Sequence, residues 1–319
     1  MKNIKNIIFD TDLGGDCDDV MALDLLLSAE KQGECRLLGV TYSADAYAAI
    51  PCIYALLRHY GRESVPIGRA PVEEGRVTAS DNYASKVAAA FDHDGAPEYN
   101  TTPDAAALLR RLLAGAHDRV TLVVTGFLTN IAALLKSGPD EYSPLSGREL
   151  VREKVEEIAM MACNFSHINC IAPEKDNICD DGSITPVAEW NILCDIKAAQ
   201  ETFELVTAPV VLLPYEAGID MITGAPMVKH GGMTAPDSMS YIVHGSSEGR
   251  HSWDPATALY GVYGARPWFY KSVPGNVSIS DKGVSDFTVD PTGFCRVLEC
   301  AQPKERIAGA IDSMVERLF

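Results

Sequence analysis

Five aspartates fall between Asp10 and Asp19, at positions 10, 12, 16, 18 and 19, with Gly14 and Gly15 among them. They follow the apolar run Ile7-Ile8-Phe9 and are succeeded at once by an amphipathic segment. Carboxylates this close disfavour joint ionisation unless a cation lies between them. Nothing in the physics of a solvated loop calls for five at a strand end, so the stretch predicts a metal site.

The elements that must position this cluster follow from hydrophobic periodicity. Residues 6–10 read as a buried strand, 18–31 as an amphipathic helix with Val20, Leu23 and Leu27 on one face, 36–42 as a strand and 47–60 as a helix. Thr102-Pro103 reads as an N-cap and first-turn proline opening a helix to Ala114. Val120–Val124 is the clearest central strand and stops at Thr125-Gly126, and a helix is expected over 128–136. Further strands are expected over 155–162 and 209–213, and helices over 195–206, 254–262 and 303–318, with antiparallel strands or loops after 262. The alternation predicts an α/β fold, a mostly parallel central sheet with helices on both faces. Ligands of such sheets sit beyond the carboxyl ends of the strands, where Asp10, Asp12 and Thr125 fall. Residues 1–319 are read as one domain with lid loops around 69–101, 163–185 and 224–252.

Composition narrows the partners. Forty-four acidic residues against 27 Lys and Arg give a net charge of −17, a surface that repels a phosphate backbone. Nucleic acid is therefore an unfavourable partner, and a small molecule is expected. No apolar run approaches the ~20 residues of a membrane span, and no membrane association is expected. The N-terminus lacks the apolar stretch and small-residue cleavage site of a secretory leader, and nine irregularly spaced cysteines fit reduced thiols. Both features predict a cytoplasmic protein.

Three arrangements begin with such a cluster. An EF-hand loop is ruled out by Gly14 at its fifth position and Met21 at its twelfth. A haloacid-dehalogenase-type phosphatase also starts from a strand ending Asp-x-Asp. It lacks here the hydroxylated residue at Gly14 and a later Gly-Asp-x-x-x-Asp. The third fits: Asp10-Thr-Asp-Leu-Gly-Gly-Asp-Cys-Asp-Asp-Val-Met-Ala-Leu23 resembles the signature of the inosine-uridine-preferring nucleoside hydrolases, in a longer variant with two residues inserted before the paired aspartates. Leu122–Ala132, Thr185–Ile192 and Trp253–Ala256 are similar to the family's later blocks, in the right order.

The resemblance implies hydrolysis of a ribonucleoside to base and ribose. By position, Asp12, Asp19 and Asp254 would bind Ca²⁺ with the Thr125 carbonyl, an oxygen-only set that suits a hard cation. Asp12 would also take the proton of the attacking water, Asp10 would support the site, and Asp18 would hold a ribose hydroxyl. Glu189 and Asn191 would bind the far side of the sugar, with Asn164 and Ser183 at further substrate-binding positions. Asp16, inside the insertion, has no counterpart. Relatives commonly form homodimers or homotetramers, and the same is expected of this chain.

The sequence also departs from the family. Trp253 stands where many members carry a His that protonates the leaving base; an indole is no acid at neutral pH but stacks on a purine. Purine nucleosides are the expected substrates, and His251 and His230 are the nearby alternatives for an acid. Asp45-Ala46, Ser183 and Met161-Ala162-Cys163-Asn164 also differ from the family's residues. These changes leave two alternatives, a non-catalytic nucleoside- or ribose-binding protein that keeps the metal and a hydrolase of a modified N-riboside. The spacing Cys163-x3-His167-x2-Cys170-x8-Cys179 lacks the paired Cys-x2-Cys of zinc sites and is read as part of a lid.

Overall fold

The apolar runs become the middle of a mixed sheet in the computed structural model, which describes residues 4–71, 80–169, 179 and 184–319. Its strands are β1 (Lys5–Thr11), β2 (Cys35–Tyr42), β3 (Ile67–Arg69), β4 (Val120–Val124), β5 (Val155–Met161), β6 (Val210–Leu213), β7 (Ile222–Thr223), β8 (Arg250–His251), β9 (Phe269–Lys271), β10 (Gly275–Ile279), β11 (Ser285–Val289) and β12 (Cys295–Cys300). The order is β11-β10-β12-β6-β5-β4-β1-β2-β3, with β9 beside β12, while β7 and β8 form a separate pair. From β12 to β3 every neighbour is parallel. The antiparallel part is confined to β9, β10 and β11. The expected α/β class is thus the observed one.

Successive side chains of a strand point to opposite faces. Ile8 accordingly joins the apolar cluster of Leu122, Val124 and Ile131, and Phe9 the opposite cluster of Met21, Leu25 and Leu259. Cover on both faces is why β1 and β4 read as unbroken apolar runs.

Three local expectations change. The helix Asp18–Lys31 is buried all round, from Asp18 to Ala29, rather than along one stripe. It lies between the helices Trp253–Tyr263 and Lys304–Val315, which cover it from two sides. The helix expected from Thr102-Pro103 begins instead at Ala105, because Asp104 is the N-cap and accepts from the Ala107 N–H at 2.9 Å. Thr102 Oγ1 instead donates back to the Glu98 carbonyl. A helix over Gly147–Lys154, closed by a Ser146–Glu149 capping box, precedes β5.

Arg110 ties this side of the molecule together. Its buried guanidinium grips Asp140 through Nε (2.6 Å) and Nη2 (2.9 Å), and reaches Ser137 Oγ and the Leu145 carbonyl, both at 2.9 Å. The Arg110 hydrogen bonds hold the Asp140 carboxyl down to about 2. Arg110→Met is expected to cost about 2 kcal/mol in urea unfolding, since it strips Ser137 Oγ, the Ser143 and Leu145 carbonyls and the exposed Asp140 carboxylate of their shared charged donor. The depressed Asp140 contributes stability that is present above the unfolded value of ~4 and lost as pH falls towards 2. Wild type should lose this increment below pH ~4, and the variant should not; an equal acid response would discount the pair.

Among the described residues, no helix is long and apolar enough to cross a membrane.

Candidate active site

The acidic residues converge because three chain segments end at one point. β1 pairs with β2 on one side and β4 on the other, so Asp10 lies opposite Thr41 and Val124. Asp12 follows directly beyond β1, Asp18 and Asp19 open the helix Asp18–Lys31, and Asp254 stands in the first turn of the helix Trp253–Tyr263. Helix N-termini favour negative charge, which eases placing three of these carboxylates side by side.

Two glycines make the approach possible. Gly14 adopts φ +131°, a region other residues avoid, and its N–H donates to the Tyr83 hydroxyl at 3.0 Å. A Cβ on Gly126 would stand 2.6 Å from the Asp12 backbone nitrogen and 2.7 Å from the Thr11 carbonyl carbon, so the end of β4 presses directly on the aspartate loop.

Hydrogen bonds then fix each carboxylate. Asp10 Oδ2 accepts from Thr41 Oγ1 at 2.5 Å and Asn130 Nδ2 at 2.7 Å. Asp19 Oδ1 accepts from Thr11 Oγ1 and, at 3.1 Å, from Thr125 Oγ1. Asp18 Oδ2 accepts from the backbone N–H groups of Trp253 and Asp254, each at 3.1 Å, which couples the two acidic helix starts.

Carboxylate oxygens of Asp18, Asp19 and Asp254 lie within 4.8 Å of one another. Burial, and then the charges of the other aspartates, push Asp12, Asp18, Asp19 and Asp254 well above the usual carboxylate range. Burial raises Asp10 to about 7 against the pull of its two donors, and its Oδ1 is buried with no partner among the described residues. Only a nearby positive charge lets such a set ionise together. All the donors are oxygens, as a hard divalent cation requires, so the residues present fit one.

The cluster forms the floor of a cavity of about 410 Å³. Glu189 and Asn191 line one side; Tyr215 and Trp253 form an aromatic wall, with ring centroids 5.4 Å apart and planes inclined by 20°. Trp253 Nε1 donates to the Tyr215 carbonyl at 2.8 Å.

A carboxylate floor under an aromatic wall at the carboxyl ends of a parallel sheet agrees with the sequence comparison. Residues 7–284 match the inosine-uridine preferring nucleoside hydrolases. The chain belongs to this family. Among curated relatives, it is similar to the pyrimidine-specific ribonucleoside hydrolase RihA of Enterobacter sp. (strain 638), 29% identical over 67% of this chain. That alignment spans 60% of the relative, so the chain covers less than two thirds of its length. The fold is shared with an inosine-uridine preferring nucleoside hydrolase from Bacillus anthracis, with TM-score 0.65, 18% identity and 99% of each chain covered. It is also shared with a purine-preferring ribonucleoside hydrolase from Gardnerella vaginalis, with TM-score 0.71, 16% identity and coverage of 98% and 99%. The nucleoside hydrolase family is metal-dependent.

Against the family's blocks, the structure sorts the expected residues. Asp12, Asp18, Asp19, Thr125, Glu189, Asn191, Trp253 and Asp254 all line the cavity. Asp18 stands with Asp19 and Asp254 in the carboxylate triad whose oxygens lie within 4.8 Å of one another. Asn191 Nδ2 donates to the Thr125 carbonyl at 2.8 Å and the Met161 carbonyl at 3.2 Å, so this side chain braces two strand ends. Glu189 caps the helix Trp190–Cys194 through the Asn191 and Ile192 N–H groups, and burial lifts it to about 7. Asn164 does not reach the cavity, contrary to expectation: its buried Oδ1 accepts from the Ser166 N–H and hydroxyl. Ser183 and Cys170 lie outside the described residues.

The histidines also rearrange. His230 stacks on Phe319 and does not line the cavity. His251 lies beside Trp253, ring centroids 5.2 Å apart, with Nδ1 accepting from the Asp220 N–H. His244, from the helix Pro236–His244, lines the cavity instead, together with Ser80, Asn82, Phe127, Tyr215 and Arg250. Phe127 alone of these stands inside a legible block; the others come from segments whose local patterns carry no functional signal.

Proposed function

We propose that the protein hydrolyses the N-glycosidic bond of ribonucleosides to free base and ribose, with Ca²⁺ as cofactor and purine nucleosides preferred. The observation that carries this reading is the cavity itself, in which buried carboxylates face the stacked Trp253 and Tyr215 rings. Asp12, Asp19, Asp254 and the Thr125 carbonyl would hold the cation. When bound, it supplies Lewis acidity towards the attacking water and the positive charge that ionises these carboxylates.

The chain's own residues do the rest. Asp12, directed into the cavity, accepts the proton of the water. Asp18, fixed by two backbone N–H groups, accepts from a ribose hydroxyl. Glu189, which caps the helix Trp190–Cys194 at the cavity lining, binds the sugar, and the surrounding carboxylates stabilise the positive charge that develops on the ring in an oxocarbenium-like transition state. The aromatic wall takes the departing base, which favours large flat purines; the Gardnerella neighbour is itself purine-preferring. Ser80, Asn82, His244 and Arg250 line the cavity, and the described parts of the segments around 69–101 and 224–252 act as lids; most of the third expected lid, 163–185, lies outside the described residues. The cysteines among the described residues are all free, which supports a reducing, cytoplasmic setting, and we place the working state as a homodimer or homotetramer.

Purine and pyrimidine nucleosides assayed for reducing sugar, with and without EDTA, test the reading. Ribose release from purine nucleosides that EDTA abolishes is the expected result. Tight nucleoside binding without cleavage would instead identify a binding protein.

A further inference from the structure

Asp16 is the one aspartate of the cluster to which the proposed reaction gives no task, and the structure gives it a partner 234 residues away. Arg250 Nε stands 2.9 and 3.0 Å from its two oxygens and Nη2 2.6 Å from Oδ2. The Cys17 N–H fixes Oδ1 at 2.7 Å, and His244 Nε2 stands 3.8 Å from the same atom. The Asp16 and Arg250 side chains remain about one third exposed, at 30% and 32%, and both line the cavity. The guanidinium carbon lies 5.6 Å from the centroid of Trp253. Arg250 Nη1 has no hydrogen-bond partner among the described residues. A pair that serves only to brace two surface segments contributes little; this one sits at the aromatic wall with a donor unspent.

We propose that the Asp16–Arg250 pair reads the edge of the leaving base. Resting on the hydrolase reading above, a base held at Trp253 meets a donor on Arg250 beside an acceptor on Asp16. A 6-oxopurine offers the complement, the O6 acceptor next to the N1–H donor, whereas adenine offers an amino donor next to an acceptor nitrogen. Asp16 is a positioning residue as well, since its two oxygens set the plane of the guanidinium fork. The pair therefore selects hypoxanthine- or guanine-bearing nucleosides over adenosine, and Trp253 supplies affinity without that distinction.

The test compares kcat/KM for inosine and adenosine in Ca²⁺-loaded wild type, R250M, R250K and D16N, with near-ultraviolet circular dichroism confirming the fold. Wild type should favour inosine, and each variant should erode that preference tenfold or more, because a site built to hydrogen-bond a group discriminates strongly only while the partner is present. R250K keeps the charge but loses the fork, so full preference in R250K would overturn the proposal. So would equal losses on both nucleosides, or a wild-type preference for adenosine. If no nucleoside is cleaved, the hydrolase reading fails. Calorimetric titration of hypoxanthine and adenine into wild type and R250M then decides this one separately: indistinguishable affinities for the two bases would sink it.

Discussion

Asp12→Asn is expected to lower kcat roughly a thousandfold, within the range set by a positioned general base, while the protein remains folded. Asp12 stands immediately beyond β1 and lines the cavity, where burial and the neighbouring Asp18 charge hold its carboxyl well above the usual range. The substitution also removes one of several like charges. The metal-free variant should therefore melt above metal-free wild type at pH 8, a gain that accidental damage to the fold cannot produce. Steady-state kinetics on the best purine substrate and thermal melts in EDTA provide the two readings. A variant that retains a tenth of wild-type kcat would remove Asp12 from the proton-accepting role.

The second large effect concerns the cation. Free Ca²⁺ at a thousand times its Kd should add about 4 kcal/mol of stability, if it binds the folded chain alone. The pH response of the metal-free protein follows from Glu189, lifted to about 7 by burial, and the aspartate cluster acts in the same direction. A raised carboxyl holds a proton in the folded state that the unfolded chain releases near pH ~4. Its contribution is therefore complete below pH ~4 and is lost as pH rises through about 7. Metal-free protein should melt progressively lower from pH 4.5 to 8, and Ca²⁺ should flatten that decline by favouring the ionised aspartates. A melting temperature in EDTA that rises over this range would contradict the electrostatic account of the cluster.

Much of the site is legible in the sequence, for identifiable reasons. β1 and β4 are covered on both faces, so their sequences are continuous apolar runs, and the chemistry sits at their ends as strand-to-loop transitions. The motif residues are legible because Asp12, Asp18 and Asp19 are sequence neighbours, with spacing set by one turn and one helix start. The sequence misleads in two ways, through a non-local partner and through a local one. The helix Asp18–Lys31 reads as amphipathic, but two helices from the C-terminal third enclose it. Asn164 sits in a block that differs from the family's, and its Oδ1 is consumed by Ser166 two residues on.

The parallel α/β architecture, the acidic strand end and the family are written into the order of residues, because hydrophobic periodicity and short-range spacing are local properties of the chain. Tertiary structure alone decided which residues share the cavity. Asn191 bonds across 66 residues to the Thr125 carbonyl, Asp18 across 235 to Trp253, and Asp16 across 234 to Arg250. No local propensity encodes such distances. They arise only when parallel crossovers carry separate loops to the same end of the sheet, where burial and like charge push Asp12, Asp18, Asp19 and Asp254 well above the usual carboxylate range.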